Sequence, residues 1–294
     1  MILTDRTLSI LKGCSQINPR ILLRKGSVIQ TKNGKEILIA DIDEHIPMHC
    51  CIENLPDFLK KVKQMKNPNL DFHSDHILMN KGLAKAKFFS TPDLTSTDNH
   101  SLISCDSYFL EIKGRIVKEA IEKEFANDFK KKGSHLFYKF HVDMKKPIIN
   151  FYLYRERIKE MFDFCSNYEG GHWGFLSCSE SNSIYFKFGY TSEYYEYLNF
   201  HTELFSLKVG NNTDRDFVSF IKRKTLTIPL SFSFVPYWDV HIYPSTMYFY
   251  NDKGEECEVE GPYVLSLNSG ENNIKYFISI SPGRYSFRSI ATHS

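Results

Sequence analysis

The chain has 294 residues, a length that fits one large domain or two domains of ordinary size. Hydrophobic residues make up 42% of it and aromatic residues 15%, which is enough for a sizeable core and excludes an intrinsically disordered chain. The 37 Lys and Arg residues nearly balance the 35 Asp and Glu residues, so the formal net charge is only +2. Binding to nucleic acid would therefore depend on a local concentration of positive charge.

The sequence gives no sign of membrane insertion or secretion. No apolar run approaches the ~20 residues that cross a bilayer, and residues 1–12 lack the pattern of a secretory signal. The seven cysteines are an odd number and lie within apolar segments, away from the spacings of a disulfide framework. We therefore expect an intracellular protein with reduced, buried thiols and no membrane partner.

Residues 1–95 alternate between helical and strand-like patterns. A first helix is expected to be capped by Asp5 or Thr7, and Asn18-Pro19 ends it. A second helix is expected from Asn54 to Met65, with most of its lysines off the apolar face. Strands are predicted at 20–24, 27–31, 36–41, 48–53, 70–73, 76–80 and 83–90.

A similar order of elements returns in residues 147–268. A strand at 147–153 is expected to precede a helix at 154–167, and a short helix is expected at 236–243. Strands are predicted at 173–177, 183–188, 198–209, 227–234, 246–250 and 263–268.

Two stretches do not follow this order. Residues 99–146 predict a strand at 108–112, an amphipathic helix at 115–132 and a strand at 136–142. Residues 211–224 are rich in charge and are expected to form an exposed loop or hairpin tip.

Four segments together resemble parts of one known protein family. Leu8-Ser-Ile-Leu-Lys12 with Ile17-Asn18 is similar to the first helix of that family and its exit. Cys51 through Leu59 resembles the step from a strand into the second helix, and Phe88 through Leu94 the strand that closes the first domain. Leu230 through Pro244 resembles a strand and short helix of the second domain. In their order and spacing, these segments resemble the sliding clamps of T-even-type tailed phages.

The resemblance implies an α+β fold. It has two clamp-type domains, each with two helices packed on a curved antiparallel sheet, and an inserted α/β segment between them. The domains are expected at 1–98 and 147–294, with the connector and its insertion at 99–146. An alternative assignment places the first helix of the second domain at 115–132. The spacing of the strands that follow favours 154–167.

The resemblance also implies a function without bond chemistry or a cofactor. Three subunits would close into a ring around double-stranded DNA and tether a phage DNA polymerase, with a clamp loader as a second partner. Some members of the family also serve late transcription, and the place of action would be the cytoplasm of the infected host cell. Lys and Arg on the inner helices would attract phosphate regardless of sequence, which suits a protein that slides. The candidates for DNA contact are Arg6, Lys12, Lys60, Lys61, Lys63, Lys66, Arg155, Arg157 and Lys159.

Two other functions remain open at this point. The first is a monomeric, clamp-folded accessory protein that binds DNA on an open basic face. The second is a β-rich structural or interaction protein of a virus with no role on DNA, in which the lysines at 60–66 are only a solvated helix face.

Patterns typical of enzymes and metal sites are weak. His45, His49, Cys50 and Cys51 cluster in sequence, but Cys50 and Cys51 are adjacent on a predicted strand and point to opposite faces. Gly170-Gly171 follows a predicted helix instead of opening one, which indicates a turn rather than a phosphate cradle. The chain also lacks the Cys-x-x-Cys, His-Glu-x-x-His and Gly-x-Ser-x-Gly patterns. We therefore expect no catalytic residue and no metal site.

Overall fold

The computed structural model describes residues 1–33, 36–90, 139–142, 144, 147–165, 172–178, 182–194, 197–211, 217–250, 256–260 and 263–284. The chain forms two compact units and enters each of them more than once. The first unit comprises Met1–Ile103, Thr227–Tyr237 and Asn268–Phe277, and the second comprises Ser104–Leu226, Trp238–Leu267 and Ile278–Ser294. The domain boundaries expected at 98 and 146 lie outside the described residues and stay predictions.

Helices are few and strands many in the described part of the chain. The α-helices are α1 (Asp5–Ile17), α2 (Leu55–Gln64), α3 (Arg155–Phe164) and α4 (Thr227–Ser231), with 3-10 helices at Arg223–Leu226 and Gly270–Asn272. The strands are β1 (Ile21–Leu23), β2 (Gly26–Lys32), β3 (Glu36–Ile46), β4 (Cys50–Ile52), β5 (Asn69–Phe72), β6 (His76–Lys81), β7 (Ala84–Phe89), β8 (Lys139–Val142), β9 (Ile149–Tyr154), β10 (His172–Cys178), β11 (Ser183–Tyr194), β12 (Tyr197–Asn211), β13 (Phe217–Lys222), β14 (Tyr237–Tyr243), β15 (Ser245–Tyr250), β16 (Glu256–Glu260), β17 (Tyr263–Ser269) and β18 (Ile274–Arg284). No helix among the described residues is long and apolar enough to cross a membrane.

The two long helices of the first unit begin at side-chain caps. Thr4 Oγ1 accepts a hydrogen bond of 3.2 Å from the backbone N–H of Thr7, so Thr4 caps α1 in place of the expected Asp5 or Thr7. Asn54 Oδ1 accepts a hydrogen bond of 3.1 Å from the N–H of Asp57, which confirms the expected start of α2. The side chain one position before the expected cap therefore fixes the start of α1.

All seven strands expected in residues 1–95 are confirmed. In the first unit, β1 pairs with β4, β2 pairs with β3, and β5, β6 and β7 form an antiparallel meander. β3 also pairs with β18, and the N–H of Asp41 donates to the carbonyl of Asn273 at 3.1 Å. A strand from the end of the chain thus completes a sheet that begins near its start.

The core of the first unit lies where the helices cover the sheets. Ile10 of α1, Phe58 of α2, Ile37 of β3 and Met79 of β6 have no exposed surface. Burying a side chain of this size contributes about 1.5–3 kcal/mol, so these four residues together are a main source of the stability of the unit.

In the second unit, eight strands form one long sheet. Its strand order is β12-β11-β10-β13-β18-β17-β14-β9, and β16-β15-β8 form a separate sheet. β12 also pairs in parallel with the end of β18 through Leu198 and Gly283, so five of these strands close into a circle of pairings. The expected sequence of strand, helix and three strands from residue 147 is confirmed by β9, α3, β10, β11 and β12.

The expected strand at 227–234 and the expected helix at 236–243 are both wrong. Residues 227–231 form α4, where Pro229 lies in the first turn and its missing N–H leaves no helical bond unmade. Residues 237–243 form β14, in which Trp238, Val240 and Ile242 are fully buried and alternate with less buried residues. This period of two is that of a strand, and it outweighs the resemblance that indicated a helix.

Two further expectations concern the stretches outside the common order. β13 occupies 217–222, so the loop expected at 211–224 is wrong for those residues. β8 confirms the end of the strand expected at 136–142. The strand expected at 108–112 and the helix expected at 115–132 lie outside the described residues.

Candidate nucleic-acid interface

The basic residues expected to contact DNA divide between the two units. Those on α1, on α2 and just after α2 belong to the first unit, and those on α3 belong to the second.

The basic face of α2 follows from its sequence. Leu55, Phe58 and Val62 recur at helical spacing and are buried, which turns the opposite side of the helix toward solvent. Lys60 and Lys63 are exposed on that side, three residues apart and therefore neighbours on the helix surface. The same periodicity that builds the core thus places these two ammonium groups in water.

Three lysines line one groove between α1 and α2, which we call the α1/α2 groove. Lys12 comes from α1, Lys63 from α2 and Lys66 from the residues just after α2, and all three are exposed. The groove has a volume of about 340 Å³ and is lined by Leu8, Lys12, Leu59, Val62, Lys63, Lys66 and Asn67. None of these residues is acidic, so the three charges reinforce one another instead of being neutralised.

Lys61 is engaged differently from its neighbours on α2. Its Nζ lies 3.1 Å from Asp57 Oδ2, one helical turn earlier, and 4.8 Å from the ring centroid of Phe88. An ion pair of this spacing contributes about 0.2–0.5 kcal/mol, and the ring contact adds about 0.5–1 kcal/mol at an exposed site. Lys61 therefore has a local structural role, and its charge is balanced within the helix.

Arg6 is also committed to partners inside the first unit. Its Nη1 lies 2.8 Å from Asp43 Oδ1 of β3, and its Nη2 donates to the carbonyl of Asn272 at 2.7 Å. Its guanidinium carbon lies 5.6 Å from the ring centroid of Phe234. Arg6 thus joins α1 to three later parts of the chain and does not line the α1/α2 groove.

Helix α3 carries as many acidic as basic residues. Arg155, Arg157 and Lys159 stand against Glu156, Glu160 and Asp163, and Ile158 and Met161 form its buried side. Arg157 Nη1 lies 2.9 Å from Glu160 Oε2 in an exposed pair. The three cations are therefore not a basic face of their own, because the carboxylates share the exposed surface. Counting cations alone does not reveal this.

The two cysteines of the cluster at 45–51 are packed inside a strand. Cys50 and Cys51 are both buried in β4, where they pair with Leu23 and Leu22 of β1. Burial raises the pKa of the Cys50 thiol to about 11, so the free thiol stays protonated at neutral pH. In the described part of the chain, no group of three or more His, Cys, Asp and Glu side chains is placed to hold a metal ion.

Asn67 is a polar residue of the α1/α2 groove that the sequence did not indicate as a candidate functional residue. The dipeptide Asn67-Pro68 indicates only the end of a helix. No local pattern shows that the Asn67 side chain bonds the backbone of Leu3, 64 residues earlier. Such a contact depends on the tertiary packing of α1 against α2.

Comparison with known proteins gives one relative in sequence and several in structure. No protein-family model matches the chain. Over 81 residues it is 30% identical to the sliding clamp of Vibrio phage KVP40, an alignment that covers 27% of this chain and 37% of the phage protein. The chain therefore matches less than two thirds of that relative.

Two bacterial structures superimpose on almost the whole chain. They are the β chain of DNA polymerase III from Streptococcus pneumoniae TIGR4 and the β subunit of DNA polymerase III from Thermotoga maritima. Each covers 97% of this chain with a TM-score of 0.51 and 10% identity, and the match spans 65% of the bacterial chain. An identity this low shows the fold alone. The chain has the α+β DNA clamp fold, and its resemblance to the sliding clamps of phages is confirmed.

Proposed function

We propose that this chain is the subunit of a DNA sliding clamp, a ring that encircles duplex DNA and tethers a phage DNA polymerase without doing bond chemistry itself. The observation that carries the proposal is the α1/α2 groove, where three lysines on a clamp fold share one site without a carboxylate. The similarity to the clamp of Vibrio phage KVP40 supports it.

Sliding needs an attraction that is general and easily broken. Lysine ammonium groups suit this, because they are strongly hydrated point charges on flexible stems and attract any phosphate. Each phosphate neutralised changes the slope of log K against log salt by about −0.9. Lys12, Lys60, Lys63 and Lys66 are exposed and form no ion pair with the described carboxylates, so we assign them the main attraction to DNA.

The other candidates for DNA contact are expected to attract DNA less strongly. Lys61 and Arg6 stand in ion pairs, and the charge of α3 is balanced by its own carboxylates. Arg155, Arg157 and Lys159 therefore contribute a weaker attraction. The proposal also includes three subunits in a ring, a clamp loader, action in the cytoplasm of the infected cell and a secondary role in late transcription.

The decisive experiment is retention on circular DNA. The ring is closed by chemical cross-linking in the presence of nicked circular plasmid, and free protein is removed by gel filtration at high salt. We expect the protein to elute with the plasmid and to be released when the plasmid is cut once. Light scattering of the uncross-linked protein should give a mass near three times 34.4 kDa at high concentration.

The two alternatives give different results in the same experiment. A monomeric protein that binds DNA on an open face would dissociate at high salt from circular and linear DNA alike. A viral structural protein without a DNA role would not elute with plasmid at any salt concentration. Equal behaviour on cut and uncut plasmid would therefore contradict the clamp.

A further inference from the structure

The backbone just after α2 has an unusual conformation. Lys66 and Asn67 both have left-handed backbone, with φ of 54° and 58°. Among the described residues, the other non-glycine residues with positive φ are Asn182 and Asn273. Asn adopts this conformation readily, whereas Lys has a Cβ that clashes and no short polar group to compensate. Lys66 is therefore the exception that needs a reason.

Hydrogen bonds of both Lys66 and Asn67 hold this segment in place. The backbone N–H of Asn67 donates to the carbonyl of Val62 in α2 at 2.9 Å, and the backbone N–H of Lys66 donates to the carbonyl of Lys63 at 3.0 Å. The Asn67 side chain donates from Nδ2 to the carbonyl of Leu3 at 2.6 Å. Leu3 is 3% exposed and leads directly into α1. One residue thus ties the end of α2 to the start of α1.

We propose that Asn67 is a positioning residue, which holds Lys66 in the left-handed conformation and thereby adds a third ammonium group to those of Lys12 and Lys63. Strained backbone of this kind persists where the surrounding structure imposes it, and it clusters at functional sites. Glycine would adopt the same backbone at lower cost but would bring no charge to the α1/α2 groove. The inference rests on the proposed function, because DNA phosphate is taken as the ligand of this groove.

The experiment compares the salt dependence of DNA binding among variants of the full chain. A short fluorescent duplex is titrated with protein by anisotropy over a range of NaCl concentrations. Lys66→Gln should reduce the magnitude of the slope of log K against log salt by about 0.9. Asn67→Gly keeps the left-handed backbone available but removes the bond to Leu3, and it should reduce the slope by a similar amount.

Two further variants separate positioning from a general loss of structure. In the double variant, Asn67→Gly should add nothing to Lys66→Gln, because Asn67 acts through Lys66. The matched control is Asn273→Gly, the same substitution at another left-handed Asn of the first unit that does not line the groove, and it should leave the slope unchanged. Circular dichroism checks that every variant is folded.

The outcomes distinguish this inference from the proposed function. If Lys66→Gln lowers the slope and Asn67→Gly does not, or if Asn67→Gly lowers it further in the Lys66→Gln background, positioning by Asn67 is wrong and the DNA interface stands. If neither Lys66→Gln nor Lys63→Gln changes the slope, the interface itself is wrong. The variant Lys66→Gly tests the strain directly. Because glycine adopts left-handed backbone without a steric clash, this variant should have a higher melting temperature but weaker DNA binding. A lower melting temperature would contradict the strain.

Discussion

The hydroxyl of Tyr276 donates a hydrogen bond of 2.9 Å to Oε1 of Glu36, a residue 240 positions earlier in the chain. Both residues are buried in the first unit, Tyr276 completely and Glu36 with 8% of its surface exposed. Asn33 holds the same carboxylate, since its Nδ2 donates to Oε2 of Glu36, and it also donates to the carbonyl of Ile17 at the end of α1. A buried polar network thus joins the β2–β3 turn, α1 and β18.

Removing the Tyr276 hydroxyl should destabilise the first unit. Tyr276→Phe leaves the buried Glu36 carboxylate with one donor fewer, and a hydrogen bond to a charged group is worth about 1.5–3 kcal/mol. Urea unfolding followed by circular dichroism measures the loss. The control is Tyr237→Phe, whose hydroxyl lies at the surface 3.4 Å from Glu271. An equal loss for both variants would show that the buried network has no special weight.

The same tyrosine should make stability fall in alkaline solution. Burial and the Glu36 carboxylate raise the pKa of Tyr276 well above its usual value. The unfolded chain, with a tyrosine pKa of about 10, loses this proton first, so the contribution to the free energy of unfolding is complete below that pH and is lost as the pH rises further.

The thiols of Cys14 and Cys50 also make the free energy of unfolding fall as the pH rises, because burial raises the pKa of both. Urea unfolding between about pH 9 and pH 11 should therefore show a smaller loss of stability for Tyr276→Phe than for the wild-type chain. Parallel pH profiles for the two proteins would contradict a role for Tyr276 in this titration.

Gly13 allows Phe232 to pack against α1. A Cβ at residue 13 would lie 2.7 Å from Cζ of Phe232, a ring with no exposed surface. Gly13→Ala should therefore destabilise the first unit by about 1–3 kcal/mol through overpacking, although helix propensity alone would favour Ala by about 1 kcal/mol. Thermal unfolding decides the sign.

A matched control and a compensating change accompany Gly13→Ala. Gly270→Ala should be nearly neutral, because no atom lies within 4 Å of the added Cβ. Replacing Phe232 by Leu in the Gly13→Ala background should recover part of the loss if the ring is the cause. A further loss in the double variant would point to another origin.

Neighbouring lysines of α2 should differ in their effect on DNA binding. Lys63→Gln removes an exposed charge of the α1/α2 groove and should reduce the magnitude of the salt slope by about 0.9. Lys61→Gln removes a charge that is already paired with Asp57, so its effect on the slope should be smaller. Anisotropy titrations at several salt concentrations measure both. Equal effects would mean that the pairing of Lys61 does not persist in solution.

Local signals predicted most of the elements of the first unit. Asn54 predicted the start of α2 because a helix cap depends on only a few adjacent residues. The seven strands before residue 95 were predicted from apolar runs bounded by turn residues. The strand predicted at 227–234 and the helix predicted at 236–243 are wrong, since these residues form α4 and β14. The alternation of Trp238, Val240 and Ile242 in the sequence already indicated a strand.

The candidate site was less predictable because its character depends on distant partners. Nothing near Arg6 in sequence shows that Asp43 neutralises it, 37 residues away. Nothing near Lys63 shows that Lys12 shares its groove, since that requires the packing of α1 on α2. Charge was readable from the sequence, but the pairing of charges was not.

The first unit is built from three separate stretches of the chain, so it can complete its folding only after the last of them has been synthesised. Phe232 packs on α1 and Tyr276 donates a hydrogen bond to Glu36, so two contributors to this unit are synthesised more than 200 residues after α1 begins. The N-terminal part of this unit cannot complete its packing before then, and contacts between residues so far apart in sequence form slowly. A nascent chain released before residue 277 would lack these contacts, and the apolar surface they cover would be exposed to chaperones and proteases.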